Sequence, residues 1–166
     1  LVTAMIQQII NIEAPICSEE IYYRVLESFG GMRLTKKSTE FLQTCLNKAK
    51  KKTNKQGDIS FYWTSGFDIN SYLSYRKPKD GEKRNLETIN DYELANLLWD
   101  IIIDFELTNA GQSMSEDDLI REATRQLGFA RYTDKMKNIV KTAVTNAIRR
   151  KLLMRQKKDI ILNKER

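Results

Sequence analysis

The chain has 166 residues, two cysteines and no histidine, and its 28 Lys and Arg residues outnumber its 22 Asp and Glu residues, which gives a net charge of +6. The lack of histidine excludes His-based acid–base catalysis, Ser-His-Asp and Cys-His nucleophiles and His-ligated metals. No Gly-rich phosphate loop, CxxC pair or apolar run of about 18 residues is present, so we expect no catalytic residue, metal, cofactor, small-molecule substrate or membrane partner.

The first three predicted elements are helices, marked by their end residues and by apolar residues at three-to-four-residue spacing. The first helix stops at Ala14-Pro15, and the second begins near a capping Ser18 and ends at Gly30. A tight turn then leads to Thr35, the predicted N-cap of the third helix. The apolar stripe of the first helix is Met5, Ile6, Ile9 and Ile10, and the predicted buried stripe of the third is Phe41, Leu42, Cys45, Leu46 and Ala49.

A β-hairpin and a charged linker follow these helices. The turn Gly57-Asp58 precedes the apolar string Phe61-Tyr62-Trp63, a pattern typical of a hairpin that closes a small core. Residues 64–90 include Pro78-Lys79-Asp80-Gly81 and a dense run of charge, which predicts a linker. Aromatic residues such as Phe67 and Tyr75 indicate that part of this linker docks onto a domain.

A second series of the same elements occupies the rest of the chain. Its first helix stops at Asn109-Ala110-Gly111, and its second begins with Ser115 and Asp118 as a capping box and ends at Gly128. Thr133 is the predicted N-cap of its third helix. The buried stripe of that helix is Ile139, Val140, Ala143, Val144 and Ala147, and the final hairpin joins Leu152-Leu153-Met154 to Ile160-Ile161-Leu162 through Lys157-Lys158-Asp159.

The two series align without a gap when the sequence is shifted by 98 residues, so that 16–49 matches 114–147. Helix caps, apolar positions and turn glycines fall in one register, which indicates an internal repeat. Helix, helix, turn, helix and hairpin is the order of a winged helix-turn-helix. We therefore predict a mainly α protein with small β-hairpins, built as tandem winged helix-turn-helix repeats over 1–65 and 91–166, with a partly docked linker over 66–90.

Charge separates along the chain in a way that matches these elements. Residues 36–56 and 131–158, which hold the third helices and hairpins, carry net charges of +6 and +9, whereas residues 87–122 carry −9. Third helices and hairpins are the parts that a winged helix presents to nucleic acid. We therefore predict that the basic elements face nucleic acid, that the acidic block faces away, and that the second copy binds more strongly.

The candidate binding residues are polar and basic side chains of the third helices, the hairpins and the preceding turns. Lysine and arginine neutralise phosphates, and Asn and Thr contact phosphates or base edges. A solvated or protein-facing surface is the alternative interpretation of these residues, and the turn arginines could equally bond helix-end carbonyls. The candidates are Arg33, Lys36, Lys37, Lys48 and Lys51 in the first copy, and Arg131, Lys135, Lys137, Asn138, Lys141, Thr142, Thr145, Arg149, Lys157 and Lys158 in the second.

Other conspicuous residues have simpler structural interpretations. Trp63 ends the first hairpin and Trp99 lies on the apolar stripe of a first helix, and both are expected in the core. Cys17 and Cys45 are expected to fill apolar space, since no basic neighbour or histidine activates a thiolate. The acidic trio Glu116-Asp117-Asp118 is interpreted as a helix first turn that complements the helix dipole, rather than as a metal cluster.

Several strings of residues resemble a known family. Ala14-Pro15-Ile16, with Glu20-Ile21 and the hairpin ending at Trp63, is similar to the first half of a domain of unknown function at the C-terminus of large bacterial proteins related to superfamily-one DNA helicases. The second half is similar through Glu93-Leu94-Ala95, residues 118–122 and Leu127-Gly128-Phe129-Ala130-Arg131. The first copy departs from this pattern at Gly31-Met32, where the second copy has Phe129-Ala130.

The resemblance implies a DNA-processing parent with an ATP-dependent helicase core and often a nuclease-like domain. No catalytic residue carries over, so we expect a non-catalytic nucleic-acid-binding accessory module whose partners are DNA and the motor or nuclease domain of the parent chain. A protein-interaction or dimerisation module of that parent is the alternative. The start at Leu1 without a methionine indicates a fragment, and the two free cysteines favour a reducing, cytoplasmic compartment.

Overall fold

A computed structural model describes residues 1–31 and 33–165 and divides the chain into two compact units, Leu1–Ser71 and Tyr72–Arg166. Each unit is mainly helical with one small antiparallel sheet. This confirms the prediction of a mainly α protein with small β elements. Met32, half of the Gly31-Met32 departure in the first copy, lies outside the described residues.

Both units contain the same helices and strands in the same order. The first unit has α1 (Val2–Glu13), β1 (Ile16–Cys17), α2 (Ser18–Ser28), α3 (Lys36–Lys48), β2 (Lys51–Gln56) and β3 (Ile59–Thr64), followed by a 3-10 turn at Ile69–Ser71. The second has a 3-10 turn at Leu86–Thr88 and then α4 (Asp91–Thr108), β4 (Met114–Ser115), α5 (Glu116–Gln126), α6 (Asp134–Arg149), β5 (Leu153–Gln156) and β6 (Asp159–Leu162).

The two sheets also share one topology. In the first unit the strand order is β1-β3-β2, and in the second it is β4-β6-β5, with every neighbouring pair antiparallel. Gln56 pairs with Ile59 and Gln156 pairs with Asp159, so each hairpin closes through a two-residue loop. The short strand before α2 or α5 therefore lies beside the last strand of the hairpin and fixes where that helix begins.

The helix ends follow the local signals in the sequence at most positions. Thr35 and Thr133 accept hydrogen bonds from the amides of Ser38 and Met136, which confirms both as N-caps. Gly30 and Gly128 end α2 and α5 with φ of 95° and 93°. In each case the glycine amide and the next amide bond back to the helix end, at 3.0–3.1 Å, in the Schellman pattern.

Two local predictions in the first unit are wrong. Ser18 is the first residue of α2 rather than its cap, because Cys17 holds the N-cap position without a side-chain hydrogen bond. Phe41 is 56% exposed although its stripe neighbours Leu42 and Leu46 are buried. It therefore lies at the margin of the apolar face of α3, outside the core.

Each unit has its own hydrophobic core between its helices and one sheet face. In the first unit Leu46 and Tyr62 contribute to it. Trp63 points to the other face of β3, because side chains alternate along a strand. It is 1% exposed, donates to Asn54 Oδ1 at 2.6 Å and stacks on Phe67 at 6.1 Å. Trp99 packs, partly buried, against the second core.

Residues 72–90, which the sequence places in a linker, belong to the second unit. Asn96 of α4 is buried and donates to the carbonyls of Tyr72 and Ser74 at 3.1 and 2.9 Å. Arg84 donates to the carboxylate of Glu93, which is also buried in α4. Polar side chains of α4 therefore hold this segment along the second core, although its composition is typical of a solvated linker.

Limited proteolysis should reflect this attachment. Within residues 72–90, we expect trypsin to cut first after Lys79, which is exposed in the turn closed by the bond from Glu82 N to Lys79 O at 2.9 Å. The bonds after Arg76 and Arg84 should resist, because both side chains contact Glu93. Mass spectrometry of early fragments checks this, and a first cut after Arg84 would contradict it.

Candidate nucleic-acid interface

The start of α3 carries two adjacent exposed residues of the predicted site in the first unit. Thr35 and Ser38 form a capping box that fixes the first turn. Lys36 and Lys37 follow the cap, both are exposed, and neither has a carboxylate within 4 Å in the part of the chain that the structure describes. No acidic residue lies in this first turn. Two cations thus stand at the positive end of the helix dipole, where they lower helix stability and where an anion binds favourably.

The other predicted residues of the first unit have separate positions. Arg33 is exposed in the loop before α3, and Lys48 is exposed in its last turn. Lys51 already has hydrogen-bond partners, since its Nζ donates to the carbonyls of Leu46 and Ala49 at 2.6 and 3.2 Å. Burial lowers the pKa of Lys51. This lysine therefore satisfies the carbonyls at the end of α3.

In the second unit, α6, the β5–β6 hairpin and the first turn of α5 surround a groove. Four of the predicted residues line it together, two from α6 and two from the hairpin loop. Acidic residues of α5 line it as well, so the prediction that the acidic block faces away is wrong for this turn. The lining residues of this α6–hairpin groove are Ser115, Glu116, Asp117, Lys137, Lys141, Arg155, Lys157 and Lys158.

The topology explains why α5 contributes carboxylates to this groove. Strand β4 pairs with β6, with Ser115 opposite Asp159, and α5 begins at the next residue. The first turn of α5 is therefore held beside the hairpin. The hydroxyl of Ser113, the residue before β4, also donates a hydrogen bond to the carboxylate of Asp159, which ties the two segments together. Net charge counted along the chain contains no information on this pairing.

Both groove carboxylates are paired with groove cations. Asp117 Oδ1 lies 3.0 Å from Lys137 Nζ, and Glu116 Oε1 lies 2.9 Å from Arg155 Nη2. The hydrogen bond and the charge of Lys137 lower the pKa of Asp117, and the same contact raises the pKa of Lys137. Asp118 points elsewhere, to Arg121 at 2.8 Å. The acidic trio therefore complements the helix dipole and also forms three separate ion pairs.

The remaining predicted residues of the second unit are spread over α6 and the preceding loop. Arg131 and Asn138 are exposed. The hydroxyls of Thr142 and Thr145 donate to carbonyls one turn earlier, at 3.1 and 3.3 Å, and both side chains face solvent. Two further cations already have polar partners. Lys135 Nζ lies 2.7 Å from Glu87 Oε1, and Arg149 Nη2 donates to Asn146 Oδ1 at 3.0 Å.

The sequence analysis does not predict the other three charged residues of the groove. Arg155 lies two residues after Leu153 on β5, within a basic run of the sequence, and it lines the groove. Glu116 and Asp117 were interpreted only through the helix dipole. The signal for all three is long-range, since the strand pairing that brings α5 to the hairpin joins residues about 45 positions apart in the sequence.

No family model, curated protein or solved structure matches this chain. The resemblance to helicase-related proteins therefore stays a prediction based on the residues that suggested it. Among the residues that the structure describes, no helix combines the length and the apolar composition needed to cross a bilayer.

Proposed function

We propose that each unit is a winged helix-turn-helix and that the chain is a non-catalytic nucleic-acid-binding module of a larger DNA helicase- or nuclease-related protein. Support comes from the repeated order of helix, strand, two helices and hairpin, with the first strand pairing the last in both sheets. In such a fold the third helix enters a groove of the nucleic acid and the hairpin contacts the backbone. Here these elements are α3, α6 and the two hairpins.

The observation that carries the proposal is the pair Lys36 and Lys37. A lysine in the first turn of a helix opposes the helix dipole and costs stability. These two have no carboxylate within 4 Å among the described residues, so no ion pair offsets that cost. A phosphate group could bind at this capped N-terminus. The helix dipole and the ammonium groups of the two lysines would both attract it. Phosphate binding would account for two lysines at a position that is unfavourable for helix stability.

The double variant Lys36→Ala/Lys37→Ala should therefore change binding and stability in opposite directions. We expect weaker binding to a DNA duplex, and a slope of log affinity against log salt that is flatter by about 1.8, since two phosphate contacts are lost. We expect unfolding free energy to stay level or rise by about 0.3–1 kcal/mol, because the dipole is no longer opposed. Fluorescence anisotropy across a salt series and urea unfolding measure the two quantities.

Arg121→Gln/Arg125→Gln is the matched control, with the same charge change of two. Both arginines are exposed on α5 and pair with Asp118 and Glu122, outside the α6–hairpin groove. This control should bind nearly as the unchanged chain does. Equal losses in the two double variants would show a general charge effect and contradict a phosphate site at α3. Absence of salt-sensitive DNA binding by the unchanged chain would refute the proposed function.

A protein-interaction or dimerisation module is the second candidate. The exposed aromatic side chains of the first unit favour it: Tyr23, Phe29 and Phe41 are 47%, 46% and 56% exposed. Apolar contacts depend little on salt, whereas phosphate contacts depend on it steeply. Concentration-dependent association in sedimentation, reduced by Phe41→Ser and insensitive to salt, would support this candidate over the first.

A further inference from the structure

The α6–hairpin groove combines cations suited to phosphate with carboxylates that repel it. Lys137 and Lys141 enter from α6, one turn apart, and Lys157 and Lys158 from the hairpin loop. Asp117 stands opposite Lys137 at 3.0 Å, and Glu116 stands opposite Arg155 at 2.9 Å. The groove therefore has fewer available cations than its sequence suggests.

We propose that Asp117 is an affinity-determining residue that competes with nucleic-acid phosphate for Lys137, and that Glu116 does the same at Arg155. This inference rests on the proposed function and concerns the second unit. A phosphate oxygen that binds Lys137 must either displace the Asp117 carboxylate or lie close to its negative charge. Like charges brought together across an interface weaken binding and select against ligands that cannot compensate.

The charges around Asp117 support a local competition. Its pKa is lowered first by the hydrogen bond and charge of Lys137 and then by the charges of Lys141 and Arg121. The carboxylate is therefore ionised at neutral pH and is attracted to both lysines of α6. The Asp117 side chain is 65% exposed and that of Lys137 is 31% exposed, so solvent screens the attraction enough for a phosphate to replace it. Asp117 thus reduces affinity without closing the groove.

The first unit lacks the lysine of this pair at the matching position. With the 98-residue shift, Glu19 stands at the position of Asp117, but Thr39 stands at the position of Lys137. Two exposed lysines of α3, Lys36 and Lys37, lie instead at its first turn, where no acidic residue occurs. The two units share a topology but differ in how their cations are held. The net positive charge of the second copy therefore predicts a higher affinity for nucleic acid than its available cations would give.

Asp117→Asn tests the competition, with Glu122→Gln as the matched control. Both variants remove one negative charge from α5, but Glu122 pairs with Arg125 outside the groove. Asp117→Asn should bind a DNA duplex about three- to fivefold more tightly at low salt, with a salt slope steeper by about 0.9 as Lys137 becomes available. Glu122→Gln should stay within about twofold of the unchanged chain, as expected for a distant screened charge.

Lys137→Ala in each background distinguishes a freed lysine from a simple loss of repulsion. It should weaken binding more in the Asp117→Asn chain than in the unchanged chain, because only there is the ammonium released from its partner. Asp117→Ser provides a second variant that suits a helix first turn, and circular dichroism confirms that each chain is folded.

The possible results separate the inference from the function. If the unchanged chain binds DNA and Asp117→Asn matches Glu122→Gln, the competition is refuted and the proposed function stands. If Lys137→Ala has the same effect in both backgrounds, Lys137 is not the group that Asp117 restrains. If the unchanged chain shows no binding to DNA at low salt, the inference and the proposed function are both overturned.

Discussion

Replacing Glu93 with alanine is expected to destabilise the second unit by about 3–5 kcal/mol. The Glu93 side chain is 1% exposed on α4 and accepts from Arg84 Nη1 at 2.5 Å and Nη2 at 3.1 Å. It also accepts from the backbone amide of Arg76 at 2.7 Å. Removing the carboxylate leaves a largely buried guanidinium and an amide without this acceptor, which is costly because neither regains full hydration.

Glu87→Ala is the control for this substitution. Glu87 also pairs with a cation, Lys135, but the two side chains are 49% and 69% exposed. Exposed pairs contribute about 0–1 kcal/mol, so this variant should be nearly neutral. Glu93→Gln should fall between the two, since it keeps an acceptor but loses the charge. Similar losses in Glu93→Ala and Glu87→Ala would contradict the buried ion pair.

The two tryptophans allow each unit to be followed separately during unfolding. Trp63 lies in the first unit and Trp99 in the second, and the chain has no others. Trp63→Phe leaves a reporter for the second unit, and Trp99→Phe leaves one for the first. The Glu93→Ala loss should appear in the Trp99 signal during urea unfolding, with the Trp63 transition as an internal reference.

The sequence predicts those parts of the fold that depend on neighbouring residues. Thr35 and Thr133 act as caps within three residues of their partners, and Gly30 and Gly128 end helices through bonds that span one turn. These signals are local, so they can be recognised in the chain without knowledge of its tertiary contacts. The internal repeat strengthened each of them, because a cap or a glycine predicted in one copy supports its counterpart in the other.

The parts that could not be predicted depend on contacts between distant segments. Arg84 belongs to a run of charged residues, and such runs are usually solvated. No neighbouring residue therefore indicates that the Arg84 guanidinium pairs with buried Glu93. Phe41 aligns with Ile139, which packs against the second core, yet Phe41 is exposed. A shared register predicts which face of a helix is apolar, but the neighbouring side chains decide how far that face extends.

In the candidate interface, too, the local features could be predicted from the sequence and the long-range contacts could not. The exposed lysines at the start of α3 and in the second hairpin loop lie on the elements predicted from charge and periodicity. The pairing of Lys137 with Asp117 could not be predicted, because it depends on β4 joining β6 and placing the first turn of α5 beside α6. Charge along the sequence indicates where cations are available, and the strand pairing determines which of them already have partners.

Gly128→Ala should destabilise the second unit clearly more than Gly30→Ala destabilises the first. Both glycines hold the same helix-ending position, with φ of 93° and 95°. An alanine at either site costs about 1–2 kcal/mol because its Cβ disfavours the left-handed region. A Cβ at Gly30 meets nothing within 4 Å, whereas a Cβ at Gly128 would lie 2.3 Å from the carbonyl oxygen of Glu82 and 3.1 Å from Cα of Lys83.

The close approach at Gly128 involves backbone that cannot simply rotate away. Arg84 N donates to Leu127 O at 3.1 Å, and the Arg84 side chain is held by Glu93, so the segment beside the glycine is fixed at both backbone and side chain. Relieving the clash must break these contacts, which adds about 1–3 kcal/mol to the conformational cost. Urea unfolding of the single-tryptophan chains measures both glycine variants. Equal losses at Gly30 and Gly128 would show that residues 82–84 do not pack against the end of α5, and would restore the interpretation of this segment as a linker.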